Sequence, residues 1–367
     1  MSNQVLLTIS GTIPADVRAR IASGERPRAD YLELAAGFGA DLLDYARARK
    51  VAGPVGRLLE RLGGPDLVLA WACFVVRGRY QAIFTDGEQV GLPLAALLKF
   101  LSPGRRPRHL MIVHVISVAK KLLFLDRLGV QSHIDRFLVY ATAQQQFIQQ
   151  RWNLPAHRVR FTPFMVDSAF FAPEQVQPRP LARPQICAVG LERRDYPTLL
   201  AAVAGLEADV VIAAASPWSK RSDSTAGQSI PANVRVQKFS QYDLRQLYAD
   251  SSFLVMPLES VDFQAGVTAM LEAMALERAV ICSRTPGQTD IIVEGENGRY
   301  VPVGDPVALR AAIVHMLAHP EEAARLGRGG RRTIEQQMSL TRYVERLGAF
   351  IREVLVEATN GQYSNPI

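Results

Sequence analysis

Cysteine is scarce in this chain: Cys73, Cys187 and Cys282 stand far apart, each inside apolar, strand-like text, among 367 residues. No Cys-x-x-Cys pair occurs, so the three read as reduced core residues of a cytoplasmic protein rather than as a disulfide or a metal set. No apolar run reaches the roughly 18 residues that suggest a membrane-spanning helix. The N-terminus, Met1-Ser-Asn-Gln4, lacks the basic region of a secretory leader. Also missing are a Gly-x-Gly-x-x-Gly turn, a Walker loop and a Gly-x-Ser-x-Gly elbow, which removes the commonest nucleotide-binding and hydrolase signatures. His315 and His319 are spaced i, i+4, but without a third ligand or a catalytic acid they read as a solvated helix face. There is no internal repeat and no low-complexity tract, and no nucleic-acid partner is expected.

What remains is a globular composition. Apolar residues make up 48% and charged residues 21%, which excludes a disordered chain, and the length suits two domains with separate cores. Charge is unevenly placed. Residues 1–175 hold 22 Lys/Arg and 14 Asp/Glu, a net +8, whereas the remainder carries −1. The densest basic group, Arg105, Arg106, Arg108, Lys120, Lys121 and Arg127, flanks Leu122-Leu-Phe-Leu125. Two readings stand: a solvated helix over an ordinary core, or a surface-seeking helix that meets an acidic acceptor or an anionic membrane.

Apolar runs at strand length recur through the first half: Val5–Ile9, Ala40–Leu43, Leu67–Val76, Tyr80–Phe84, Leu110–Ile116, Phe137–Ala141 and Val159–Thr162. Leu67–Val76 reads as a strand, with a helix over part of it as the alternative, because periodicity alone does not assign ten apolar residues. Helical text lies between most of them, for example over Tyr31–Gly37, Leu92–Leu101 and Ala143–Trp152. A second series follows with Ile186–Val189, Val210–Ala214, Val234–Phe239, Phe253–Met256, Val280–Ser283 and Tyr300–Val303. Alternating strands and helices predict parallel sheets with right-handed crossovers. The Pro-rich stretch within residues 173–184 is the expected linker. The expected organisation is therefore 1–175, 176–340, and a final segment 341–367 made of a helix near Leu340–Glu357 and a frayed tail.

The segment from Phe253 to Val303 carries the chemistry. An apolar strand, Phe253–Met256, runs into a small-residue loop, Gln264-Ala-Gly266-Val267, which opens a helix containing Glu272; a second strand, Ala279–Ser283, ends at Thr285-Pro-Gly287. α/β folds place ligands at this end of their strands. The helix start at Gly266 and Val267 offers N–H groups and a positive dipole end to a phosphate. Glu272, about two turns further on, is suited to accept both hydroxyls of a ribose. Phosphate donors next to a diol acceptor point to a nucleotide.

Leu271-Glu272-Ala-Met-Ala275, Glu294-Gly-Glu-Asn-Gly298, Val301-Pro-Val-Gly-Asp-Pro306 and the stretch from His319 through Leu326-Gly to Tyr343 resemble the C-terminal domain of retaining family 4 (group 1) glycosyltransferases. The resemblance implies an α/β fold of the GT-B type: two doubly wound Rossmann-like domains facing a cleft, with acceptor binding in the first and donor binding in the second. It implies that the final helix returns to the N-terminal domain. It also implies a hexosyltransferase that takes a nucleotide-sugar, a UDP-sugar foremost, and a hydroxyl acceptor, lipid-linked acceptors included, with retention and without a cofactor or an obligatory metal. A sugar-nucleotide epimerase and a nucleotide-sugar binding protein without turnover are the alternatives.

By the same resemblance, Glu272 takes the ribose, and Gly266 and Val267 meet the diphosphate. Arg193 and Arg194, in Gly190-Leu-Glu-Arg-Arg194, and Lys220 and Arg221, in Ser216-Pro-Trp218-Ser-Lys-Arg221, are the cations for it. Leu191 stands where the family has an Arg. Trp218 is read either as a base-stacking surface or as a domain-edge cover. Gln264 replaces the family's first acid beside the transferred sugar; it keeps hydrogen bonding but loses charge. Glu259 and Asp262 stand near enough in sequence to supply a carboxylate. His114, at the end of Met111-Ile-Val-His114, matches the strand-end histidine that lines the family's cleft and touches the sugar or its acceptor, though alone such a residue is more often structural. Gly24 stands for the glycine-rich loop that faces the donor phosphates, with Gly11 as the alternative.

Overall fold

The computed structural model describes residues 4–102, 106–214 and 229–362. The chain divides into two compact units: residues 1–18, 28–162 and 344–367, and residues 19–27 and 163–343.

The first unit is built on six parallel strands, β1 (Val5–Thr8), β2 (Ala40–Leu43), β3 (Ala82–Thr85), β4 (Arg108–Val113), β5 (Arg136–Val139) and β6 (Val159–Phe161), in the order β2-β1-β3-β4-β5-β6. α1 (Val17–Ala22) starts in this unit and belongs to the second from Ala19 onward; the unit's other helices are α2 (Asp30–Phe38), α3 (Tyr45–Gly63), α4 (Pro65–Val76), α5 (Glu88–Leu101), α6 (Ala119–Leu128) and α7 (Thr142–Trp152). The strands read as continuous apolar runs because helices cover the sheet; β1, β3 and β5 are buried along their whole length.

The second unit repeats the plan with β7 (Gln185–Val189), β8 (Asp209–Ala213), β9 (Val234–Gln237), β10 (Phe253–Met256), β11 (Ala279–Ser283) and β12 (Gly298–Val301), in the order β12-β11-β10-β7-β8-β9. All described pairings between these strands are parallel, with Phe253 opposite Ala279 and Met256 opposite Cys282. Its helices are α8 (Tyr196–Val203), α9 (Gln241–Asp250), α10 (Val267–Ala275), α11 (Pro306–Ala318) and α12 (Pro320–Thr333). α13 (Leu340–Gln362) starts in this unit and belongs to the first from Val344 onward. Cys73, Cys187 and Cys282 are buried and unbridged, and burial pushes each thiol well up from its ordinary value.

One strand expectation is overturned. Leu67–Val76 is not a strand; it forms most of α4. Pro65 occupies the first turn and Asp66 follows it, as helix starts favour. α4 packs against both α3 and α5, so nearly its whole circumference is buried and no polar stripe breaks the apolar run. The units also part earlier than the Pro-rich stretch: Pro163 already belongs to the second. The amide of Val166 donates to Met338 O at 3.0 Å, and Leu340 N donates back to Val166 O at 2.8 Å. Phe170 and Phe171 then lie in that unit's core. Apolar burial, not backbone stiffness, sets the boundary.

Candidate functional site

In the second unit, the loop after β10 is held from two sides. On one side, Asp195 N donates to Pro257 O at 3.1 Å and Glu259 N donates to Arg193 O at 3.0 Å. On the other, Gly287 N donates to Val261 O at 3.1 Å, and the Gln288 side-chain amide donates to Ala265 O. Ser283 Oγ, at the end of β11, accepts Leu258 N at 3.0 Å. The approach at Gly287 is too close for any side chain, since a Cβ there would lie 2.2 Å from Phe263 O. These contacts fix the loop's shape before any ligand arrives. Two polar atoms are buried without a partner among the described residues, Gln264 Oε1 in this loop and Thr285 Oγ1 in the turn after β11.

The loop delivers Gly266 as the N-cap of α10, with φ +77° and no side-chain cap. The first-turn N–H groups of α10 therefore point out of the helix unsatisfied. No acid in its first turn neutralises the dipole. Arg194 lies alongside. It is only 5% exposed, its Nε donates to Val189 O at 2.9 Å and its Nη1 to Glu192 O at 2.6 Å. A Cβ on Gly266 would sit 3.3 Å from the guanidinium, and one on Gly190 2.4 Å from its Nη2. Two glycines thus let a buried cation approach the positive end of α10. Gly266→Ala is expected to cost about 2 kcal/mol in urea unfolding, because alanine must hold a left-handed φ and its methyl meets Met256 Sδ at 2.7 Å. Unchanged stability would show that the loop relaxes around the methyl.

Glu272 lies on the same helix, 6% exposed. The hydroxyl of Tyr248, on α9, donates to its Oε2 at 2.8 Å. Burial raises the carboxyl to about 7, and the Tyr248 bond lowers it only in part. Oε1 has no hydrogen-bond partner among the described residues. The two adjacent arginines separate sharply. Arg193 has φ +56° and pairs with Glu259 at 3.1 Å on the surface, so each offsets the other's charge. Asp262 is exposed. Lys220, Arg221 and Trp218 lie outside the described residues, as does Arg105.

In the first unit, His114 follows β4 with its ring exposed. Its Nε2 lies 2.8 Å from Asp86 O. A carbonyl only accepts, so Nε2 carries the proton and Nδ1 is the side open to a donor. The turn is braced by residues to which the sequence assigns no such role. Glu88 Oε1 accepts the amides of His114 at 3.0 Å and Val115 at 2.7 Å, Gln144 donates to His114 O at 2.7 Å, and Lys121 donates to Val115 O at 2.6 Å. Asp86, at the end of β3, accepts Thr8 Oγ1, Ser10 N and Ser10 Oγ between 2.6 and 2.9 Å. Burial raises the carboxyls of Asp86 and Asp30, which also face His114. Gly11 belongs to the turn after β1, where its carbonyl accepts Tyr45 N at 2.9 Å. Gly24 lies beyond α1 with φ +71° and open space around it. His315 and His319 stack on each other, and His315 pairs with Glu322 at 2.7 Å, on α11 and α12.

Residues 183–319 match the family model described as glycosyl transferases group 1. Over 113 residues the chain is 32% identical to the lipopolysaccharide core biosynthesis mannosyltransferase LpcC of Rhizobium leguminosarum bv. viciae, a match spanning 31% of each protein. Among solved structures, sucrose-phosphate synthase from Thermosynechococcus elongatus superposes with TM-score 0.70 at 19% identity, covering 96% of this chain and all of the other. Anabaena Alr3699/HepE, solved in complex with UDP and glucose, gives TM-score 0.67 at 13% identity, with 95% and 99% covered. The chain has the two-sheet α/β fold of GT-B glycosyltransferases, and residues 183–319 of its second unit are similar to the glycosyl transferases group 1 family.

Proposed function

We propose that this protein is a retaining hexosyltransferase that moves a sugar from a UDP-sugar to a hydroxyl acceptor. The observation that carries the reading is the arrangement on α10: the buried Arg194 guanidinium against the Gly266 cap, and Glu272 with one open oxygen five residues beyond Val267. In this reading the N–H groups at Gly266 and Val267 and the field of Arg194 hold the diphosphate, and Glu272 takes the ribose hydroxyls. The UDP bound by the Anabaena protein of like fold, and the mannosyltransferase relative, support a sugar-nucleotide donor.

The acceptor oxygen attacks the anomeric carbon on the face from which the diphosphate leaves. The bond from that carbon to phosphate oxygen breaks, and the departing phosphate takes the acceptor's proton. Charge then accumulates on the diphosphate, where oriented N–H groups and a fixed cation stabilise it most. No protein base and no metal is required, so Gln264 suffices where a carboxylate would stand: its unpartnered Oε1 accepts a sugar hydroxyl. In the first unit, His114 Nδ1 is the corresponding acceptor for an incoming hydroxyl. The basic first unit favours a lipid-linked or acidic acceptor and a peripheral place at the inner face of the membrane. No helix among the described residues is long and apolar enough to cross a membrane.

Calorimetric titration with UDP, GDP, ADP and their common sugars, followed by mass spectrometry of candidate acceptors, tests this. Micromolar UDP affinity with chelator-resistant transfer is expected. Binding without transfer to any acceptor would favour a binding protein without turnover, and well-folded protein that binds none of the nucleotides would sink the donor site.

A further inference from the structure

The outer face of α3 is more exposed and more apolar than a self-contained helix needs. Beyond a kink at Gly53, Val55, Leu58 and Leu62 recur at helical spacing and are 46%, 58% and 73% exposed. They are not the core face. Ala48, Ala52 and Gly56 are the buried residues, small enough to let α3 pack on α4. Beside the apolar stripe run Lys50, Arg57 and Arg61, all exposed. The helix holds five cations against one acid, Glu60, which Arg49 already neutralises at 2.6 Å. Helices α3 to α6 pack each on the next, and among the described residues eleven of the nineteen large exposed apolar ones fall between residues 51 and 128.

We infer that α3 lies flat on an anionic lipid bilayer, with Val55, Leu58 and Leu62 entering the acyl boundary and Lys50, Arg57 and Arg61 meeting lipid phosphates. An apolar stripe edged by uncompensated cations matches that surface on both counts. This extends the peripheral contact proposed above and does not depend on the transfer reaction. It also moves that contact away from α6, the helix the sequence singles out. There Leu125 is buried, Leu122 half-buried, Lys121 turned onto Val115 O, and Asp126 engaged by Arg151 and Trp152.

Co-sedimentation of the full chain with vesicles of phosphatidylcholine, alone or mixed with phosphatidylglycerol, tests the assignment. Wild type is expected to bind only the mixed vesicles and to release as salt rises. Leu58→Ser/Leu62→Ser and Arg57→Glu/Arg61→Glu should each lower that affinity by about tenfold or more, with thermal melting and UDP titration unchanged. Leu123→Ser/Phe124→Ser on α6 should retain most of it. The inference is overturned if wild type ignores anionic vesicles, if the α3 variants bind as wild type does, or if the loss follows the α6 pair. A dimer that dissociates in Leu58→Ser/Leu62→Ser, without vesicle binding, would assign the face to a second copy instead. The UDP titration of the same samples tests the donor site separately.

Discussion

Glu272→Ala is expected to lower UDP affinity about hundredfold or more, because two hydrogen bonds from a ribose diol to a carboxylate are lost at about 1.5 kcal/mol or more each. The same residue makes binding depend on pH. Unliganded, burial holds its carboxyl at about 7 against an ordinary 4.5, so the fold favours the protonated acid. Its stabilising contribution is complete below 4.5 and is lost as pH rises through 7, by about 3 kcal/mol in all. A diol donates best to the ionised acid, so binding lowers this pKa and releases a proton. Affinity should then rise by about tenfold per pH unit towards 7 and level off above it. UDP has its own phosphate titration, so the diagnostic quantity is the difference between wild type and Glu272→Gln, measured by calorimetry in buffers of different ionisation heat. Equal pH profiles for the two would remove Glu272 from the nucleotide site.

What the sequence reveals here is what local pattern encodes. Phe253–Met256, the glycine at the cap and the acid on the following helix are neighbours in the chain, and the structure joins them on β10 and α10. What stays hidden depends on distant partners. Tyr248, which fixes Glu272, comes from a helix with no special signal; its hydroxyl matters only because α9 packs on α10. Gln288 and Gly287 pin the loop after β10 from the far side, and Glu88 braces the His114 turn from 26 residues away. Arg193 and Arg194 are indistinguishable as text, yet a positive φ turns the first to Glu259 and the second inward. Leu67–Val76 misleads for a related reason: burial on nearly all sides erases the helical period.

Arg194→Ala is expected to be the more disruptive of the two arginine substitutions by a wide margin. The guanidinium satisfies Val189 O and Glu192 O, and its planar fork lies against both Gly190 and Gly266. Its removal leaves two carbonyls short of a donor, at about 1–3 kcal/mol each, and a void beneath the donor loop. A loss of about 4 kcal/mol in urea unfolding follows, with UDP binding lost as the α10 cap loosens. Arg194→Lys keeps the charge but not the fork, so it should recover part of the affinity and little of the stability. Arg193→Ala breaks an exposed pair with Glu259 and should shift stability by less than about 1 kcal/mol. Stability and UDP titrations that rank Arg193→Ala as the worse variant would show that the surface arginine, not the buried one, meets the diphosphate. The buried guanidinium would then be a brace for the loop alone, with the positive end of α10 left as the second unit's contribution to phosphate binding.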